Sequence, residues 1–526
     1  MVDRRAARVT EWLCAAALLA SAGWAVYEHA TAPVLPYDDA FITYRYVANL
    51  TRGAGLTYNP PAHVWGFTSP LYVLWLTVLH VAARGVDLPT IAIRANVIFV
   101  LAAGAAALLL VRRYTTDVRV ACLAACVLMV HPSLLSISTG GMESMLFLSL
   151  VLFTFLALAA ARPAVAGALT GLAFLARPEA VILFPLAALR YWRTPRQLLS
   201  MALVAAGVAG AWLAFAAAYY HAVVPLPIIA KNRPLYPLPP GHALRVMFGY
   251  MGPALFGQLP AASFGRSLTA AAVIVASTAA CVVSSPLRAR HAWMPGAFLM
   301  LAIALYGYSN PMFFEWYWPP LLGTALVGLT VGWVGIWRAP PSSAPAAPSG
   351  AHRTLRALAY WAGPVWIAIV TIAAYNDNAG GHSKSVRFVD QDGMRLRILA
   401  YRRIGEELSA LTSGAASLAA PEVGALGYYF AGRVIDACGL VSPEAIQFLP
   451  VPPDQRMGPT VGSISVDLVQ STNPDWVVSM PIFAEKSLLR SKWFSDRYEL
   501  ASAVPLPKIC FDSRDVLVFK RRAIRP

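Results

Sequence analysis

Charge is what this sequence has least of. Only 13% of its 526 residues are Asp, Glu, Lys or Arg, where an ordinary soluble domain carries roughly a quarter. That excludes a soluble globular fold for the whole chain, and 58% hydrophobic residues with a mean hydropathy of +0.57 point to a membrane protein. The six cysteines form no CxxC pair and no metal-ligand spacing, and the histidines form no HExxH. Neither a GxGxxG turn after a strand nor a P-loop is present, so no nucleotide site is supported by motif. Acid is scarcest in the first part of the chain: residues 1–375 hold 24 Lys and Arg against 10 Asp and Glu, and 376–526 hold 18 against 16. The apolar part thus carries +14 of the net +16. Its basic residues come in short clusters between long apolar runs, not as a basic face interleaved with aromatics. No nucleic-acid partner is expected, and the charge reads as a topology signal.

A spanning helix needs about 20 mostly apolar residues. The first such run, 9–27, follows Arg4, Arg5 and Arg8, which places the N-terminus inside. A cleaved signal peptide is the competing reading. Residues 28–90 form a first external loop with interfacial helices, one of them the 14-residue apolar stretch 70–83, too short to cross. Further runs lie at 91–111, 120–130, 144–160, 164–176 with 180–189, 198–219, 268–284, 293–308, 317–337 and 357–375. Alternating them puts every Arg cluster between spans inside, together with the Ala/Pro/Ser linker 340–350. The expected fold is mainly α, a polytopic membrane helix bundle of about 11 spans over 1–375. Residues 376–526 are then a C-terminal extracytoplasmic α/β domain, with strand-like alternation at 463–469 and 516–520. In that compartment Cys438 and Cys510 are able to pair. Cys14, Cys122, Cys126 and Cys281 fall in apolar stretches, as small buried hydrophobes.

Of the few acids before residue 375, Asp38, Asp39, Glu143, Glu179 and Glu315 each fall in an outer loop or at an outer helix end. Ionisable groups beside hydrocarbon are costly and are kept for function or for a paired contact. Five carboxylates on one face suggest a site at the outer membrane surface. Asp38 and Asp39 are adjacent, and mutual repulsion raises the pKa of one, which suits proton abstraction. The competing reading has Asp39 cap the helix over 40–50. That segment has the pattern of a short amphipathic interfacial helix with Arg45 at headgroup level. Arg177 either serves a ligand or pairs with Glu179 in a broken helix, and Glu143 either serves one or compensates a helix N-terminus. Lys231 sits in a Pro-bounded outer loop with no nearby acid.

The stretch DDAFITYRYVANLTRGAGLTYNP, 38–60, continued by GFTSPLY, 66–72, resembles the first external loop of the GT-C superfamily of integral-membrane glycosyltransferases. The likeness is closest to the subfamily of the mycobacterial terminal arabinofuranosyltransferases and related bacterial envelope enzymes. In order along the chain follow GMES (141–144), ARPE (176–179), PLPIIAK (225–231), EWYWPP (315–320), EVGALGYY (422–429), VIDACGLVSP (434–443) and PDW (474–476). The resemblance implies a polyprenyl-phosphate-linked sugar donor and a general base in the first external loop, carried over to Asp38 and Asp39. The family's other polar positions map to Arg45, Glu143, Arg177, Glu179 and Lys231. One departure stands out. Where the family often reads NPGE followed by VEG, this chain reads Asn59-Pro60-Pro61-Ala62-His63-Val64-Trp65-Gly66, so two acidic positions are missing and their roles do not carry over.

The implied reaction displaces polyprenyl phosphate from an anomeric carbon by an acceptor hydroxyl, and a single in-line attack inverts the configuration. A base takes the hydroxyl proton, and Lys231, Arg177 or Arg45 offsets the phosphate charge. Glu315, with Trp316, Tyr317 and Trp318, either grips a sugar ring or belongs to an interfacial aromatic belt. No cofactor is expected beyond the option of one divalent cation between Asp38 and Asp39. The expected partners are the lipid-linked donor, a glycan, lipid or protein acceptor, and membrane lipids. The expected location is a bacterial inner (plasma) membrane, with the C-terminal domain outside. The alternatives are a multi-pass transporter, which needs polar residues near mid-bilayer in two related halves, and a non-catalytic envelope assembly protein.

Overall fold

The computed structural model describes residues 4–233, 236–256, 263–337, 350–376, 385–412 and 414–523. The expected inner linker at 340–350 lies outside them except for Gly350.

The bundle opens with α1 (Arg4–Thr31) and continues through α2 (Ala40–Thr51), α3 (Pro70–Ala82), α4 (Leu88–Ala95) and α5 (Val97–Tyr114). Next come α6 (Val118–Val130), α7 (Pro132–Ser138), α8 (Ser144–Ala159), α9 (Pro163–Ala176), α10 (Leu183–Tyr191) and α11 (Pro195–Tyr220). The bundle ends with α12 (Leu226–Asn232), α13 (His242–Phe256), α14 (Ser263–Val283), α15 (Ser285–Ala289), α16 (Met294–Ser309), α17 (Trp318–Ile336) and α18 (Gly350–Ala373). All the expected apolar runs are helical. Among the described residues, however, five helices are long and apolar enough to cross a membrane, or six if α6 and α7, bent by 47°, form one span. The bend falls where Pro132 removes an amide donor. Five further apolar helices, among them α8, α9 and α16, have 10 to 17 residues. Small residues let backbones approach: Gly167 and Gly171 of α9 lie against the backbone of α11 at Met201 and Ala205, leaving no room for a Cβ.

After α19 (Gly393–Leu411) the chain builds a five-stranded sheet with β1 (Ser417–Ala420), β2 (Arg433–Asp436), β3 (Trp476–Ser479), β4 (Tyr498–Cys510) and β5 (Ser513–Arg521) in the order β2-β1-β3-β5-β4. β1 runs parallel to β2 and β3, and β5 is antiparallel to β3 and β4. The alternation at 516–520 is strand. That at 463–469 is instead a loop entering a helix, Val466–Thr472, whose apolar side packs on the sheet. Between β1 and β2 lies α20 (Ala425–Tyr429).

The sheet unit is locked to residues 28–90 and to the end of α7 by polar contacts. Arg395 of α19, fully buried, donates to the carbonyls of Leu35 (2.5 Å), Ser136 (3.1 Å) and Thr139 (2.7 Å). In the other direction Arg45 of α2 donates to the carbonyls of Tyr58, Gly427, Phe430 and Gly432. Asn59 exchanges two hydrogen bonds with the backbone of Val434. Residues 40–48 of α2 are therefore buried. The expected interfacial helix, with Arg45 among headgroups, is instead core, because the C-terminal unit covers its polar side.

Candidate active site

Tyr37 is fixed by a hydrogen bond from its backbone amide to the Gly140 carbonyl (3.0 Å), and α2 starts at Ala40. Asp39 occupies the residue before the helix with helical φ −58° and ψ −26° and makes no capping hydrogen bond with its side chain. Capping does not account for it. The two aspartates diverge. Asp38 is 3% exposed and accepts hydrogen bonds from the amides of Gly424 (3.1 Å) and Ala425 (2.9 Å), at the start of α20. Asp39 is half-buried and faces a cavity of roughly 300 Å³ between the first loop and the C-terminal unit.

That cavity is also lined by Lys231, Tyr236, Glu315, Arg397, Glu422 and Asp436. Glu315 accepts from the Tyr37 hydroxyl (2.6 Å). Glu422 accepts from Arg397 through Nε (3.0 Å) and Nη2 (2.9 Å), and from the Tyr401 hydroxyl (2.5 Å). Asp436 is held in its loop by the amides of Cys438, Leu440 and Val441. Burial, with the Glu422 charge, pushes Asp38 up to about 7. Burial also raises Asp39, against the opposing pull of Lys231 and Arg397. Asp436 is pushed to about 7 by burial, its three amide donors notwithstanding.

A second cavity, roughly 550 Å³, adjoins the first and shares Lys231, Tyr236 and Met312 with it. Its wall carries Arg177, Glu179, Tyr306 and Tyr317. Arg177, at the break between α9 and α10, pairs with both Glu143 and Glu179 at 2.9 Å and lies 4.5 Å from the centre of the Tyr317 ring. The pairing alternative for Arg177 is thus realised, and Glu143 is its partner, making no capping bond of its own. Lys231, on α12, donates to the Tyr317 hydroxyl at 3.3 Å. Its expected isolation from acid does not hold, since Asp39 acts on its charge. It is the sole lysine in residues 1–375, and it stands where the two cavities meet.

Asp38, Asp39, Lys231 and Glu315 therefore meet in one cavity, and Arg177, Glu179, Lys231 and Tyr317 in the next. Glu143 sits behind Arg177, and Arg45 lines neither cavity. Sequence reasoning missed Arg397, Glu422, Asp436 and Tyr236. Glu422 and Asp436 belong to the segments EVGALGYY and VIDACGLVSP, but nothing local to those segments says that they reach residue 39. Among the described residues no three His, Cys, Asp or Glu side chains are grouped to hold a metal. Both oxygens of Asp38 accept amide hydrogen bonds, each on one of its lone pairs. Cys438 and Cys510 are unpaired: Cys438 donates to the Pro421 carbonyl and Cys510 lies against Met394 sulfur.

A family model described as a domain of unknown function (DUF8728) matches residues 388–519, the C-terminal unit. No curated protein matches the sequence. Among solved structures, ArnT from Cupriavidus metallidurans in the apo state superposes with a TM-score of 0.56 at 12% identity, covering 98% of each chain. ArnT bound to undecaprenyl phosphate gives 0.56 at 13% identity, over 97% of this chain and 98% of that one. The chain therefore has the fold of ArnT, the GT-C fold to which its first-loop sequence bears a resemblance.

Proposed function

We propose that this protein is a membrane glycosyltransferase that moves a hexosyl or pentosyl unit from a polyprenyl-phosphate carrier to a glycan, lipid or protein acceptor on the outer face of a bacterial inner membrane. The observation that carries this reading is the placement of Asp39 and Lys231. A carboxylate without capping duty and the sole lysine of the membrane part face one cavity, and the lysine also opens on its neighbour. Asp39 takes the acceptor hydroxyl proton as that oxygen attacks the anomeric carbon. Lys231, oriented by Tyr317, meets the negative charge growing on the departing phosphate. Arg177, already balanced by two carboxylates, orders the wall and Tyr317 instead of serving as the main phosphate cation. In-line displacement between the two groups inverts the anomeric centre. The same fold in ArnT bound to undecaprenyl phosphate supports a lipid phosphate as the donor's carrier.

A transporter would place its polar groups near mid-bilayer in two related halves. Here they gather at one end of the bundle beneath the sheet unit. The test is transfer of labelled sugar from a polyprenyl-phosphate donor in membranes carrying wild type or Asp39→Asn. Undiminished transfer by the variant would end the base assignment.

A further inference from the structure

A groove of roughly 460 Å³ that shares no lining residue with the two cavities runs between the start of α4 and α19. Phe41 forms its floor. Tyr428 and Tyr429 stand above, with ring centroids 5.6 and 5.9 Å from Phe41, 5.0 Å from each other, and planes at 87°. Both tyrosines are half-buried, and neither hydroxyl is hydrogen-bonded to another described residue. Arg402 lies over the Tyr429 ring at 5.0 Å and commits its Nε–H to Glu406, leaving the N–H groups at the tip of its guanidinium for another acceptor. Asp87 uses one oxygen to cap the Thr90 amide at 3.2 Å and keeps the other.

Two aromatic faces set at right angles, flanked by guanidinium donors and a carboxylate acceptor, match a sugar ring. Its C–H face stacks on an aromatic, and its hydroxyls both donate and accept. Arg402 and Asp87 act on each other's charge in the groove, so an anionic lipid headgroup would gain one and meet the other, whereas a neutral ring can use both groups. The position has a consequence for the reaction. α2 follows directly on Asp39 at the cavity and carries Phe41 in the groove, and the segment whose Gly424 amide holds Asp38 ends in the tyrosine pair. The cavity at Asp39, roughly 300 Å³, is at the small end for a ligand site. An acceptor of several sugars must extend beyond it.

We propose that this groove binds a distal segment of a glycan acceptor, several rings from the reacting hydroxyl. The choice of a glycan rests on the glycosyl-transfer reading above. A second point of attachment raises the effective concentration of a long acceptor at the cavity without changing the chemistry there.

The test measures binding of defined neutral oligosaccharides of two to six rings to the purified full chain in detergent, by saturation-transfer NMR. The Asp39→Asn chain is used beside wild type, so a failure of the base assignment leaves the binding result readable. The longer members bind both chains, and Tyr429→Ala and Arg402→Ala each weaken them about tenfold, the effect of removing a contact-dominating side chain. Arg402 is exposed, so its replacement leaves the fold intact even where Tyr429→Ala does not. Absence of binding by every oligosaccharide, unchanged affinity in Arg402→Ala, or binding of glycerol phosphate in their place would each overturn the proposal, the last assigning the groove to lipid headgroups.

Discussion

Asp38 and Gly424 stand 386 positions apart in the chain and are joined by a 3.1 Å hydrogen bond from the Gly424 amide to Asp38 Oδ2. The approach is so close that a Cβ on Gly424 would run into the backbone carbonyl of Asp38. Backbone cannot swing aside as a flexible side chain would. Gly424→Ala is expected to cost about 1–3 kcal/mol of stability by overpacking and to lower turnover with it. Gly458, with open space around it, is the control, and Gly458→Ala changes neither. Thermal unfolding of the two variants in one detergent decides: equal midpoints would contradict the close approach.

The two aspartates separate by experiment because they do different work. Asp39→Asn lowers transfer about 10²–10⁴-fold, the usual contribution of a general base, and leaves the melting midpoint near wild type. Asp38→Asn keeps one oxygen for one of the Gly424 and Ala425 amides, turns an amide donor against the other and costs about 1–3 kcal/mol, as for a buried donor left without an acceptor. Transfer assays and thermal unfolding on both variants read the split.

Asp38 and Asp436 keep their protons up to about pH 7 in the fold, against an ordinary value of 3.8. Between those values the unfolded chain has released protons that the folded chain retains. The contribution of these two groups to stability is therefore full below pH 3.8, falls as pH rises toward 7, and is flat above. Asp436→Asn removes one of the two titrations. The difference in melting midpoint between wild type and this variant changes with pH inside that window and not above it. A difference independent of pH from 4 to 8 would refute the shift.

Lys231 carries two separable effects. Lys231→Met removes the cation from the proposed phosphate position, and the apparent KM for a polyprenyl-phosphate donor is expected to rise about tenfold or more, the scale of one lost charged hydrogen bond. It also removes a positive charge that favours ionised Asp39. Asp39 then holds its proton to higher pH, so the acid limb of kcat at saturating donor moves upward. Lys231→Arg keeps the charge and leaves the limb in place. A KM effect with no movement of the limb would separate Lys231 from Asp39.

Arg395 holds the C-terminal unit on the membrane unit through three carbonyls. Arg395→Met strands all three, at about 3 kcal/mol or more given the desolvation cost of each unpaired group. Limited proteolysis then releases the C-terminal fragment at protease levels that leave wild type whole.

The sequence by itself determined what depends on local periodicity and composition. Runs of apolar residues became helices because hydrocarbon-length segments satisfy their own backbone, and the alternation at 516–520 became β5. The first-loop segment announced the fold, and the scarcity of acid made Asp38, Asp39, Glu143, Glu179 and Glu315 visible. What the sequence left undivided was which of two adjacent aspartates is held by backbone amides and which is left without them. That was decided by the amides of Gly424 and Ala425, which take one carboxylate and leave the other. Arg45 reads in sequence as a cation able to meet phosphate, and Arg395 carries no local signal of its own. Only the folded chain shows that they bind backbone carbonyls across the joint, and that Arg397 and Glu422 come from the C-terminal unit to complete the cavity. Hydrogen bonds between groups hundreds of residues apart have no period to detect, so they exist only once the chain has closed on itself.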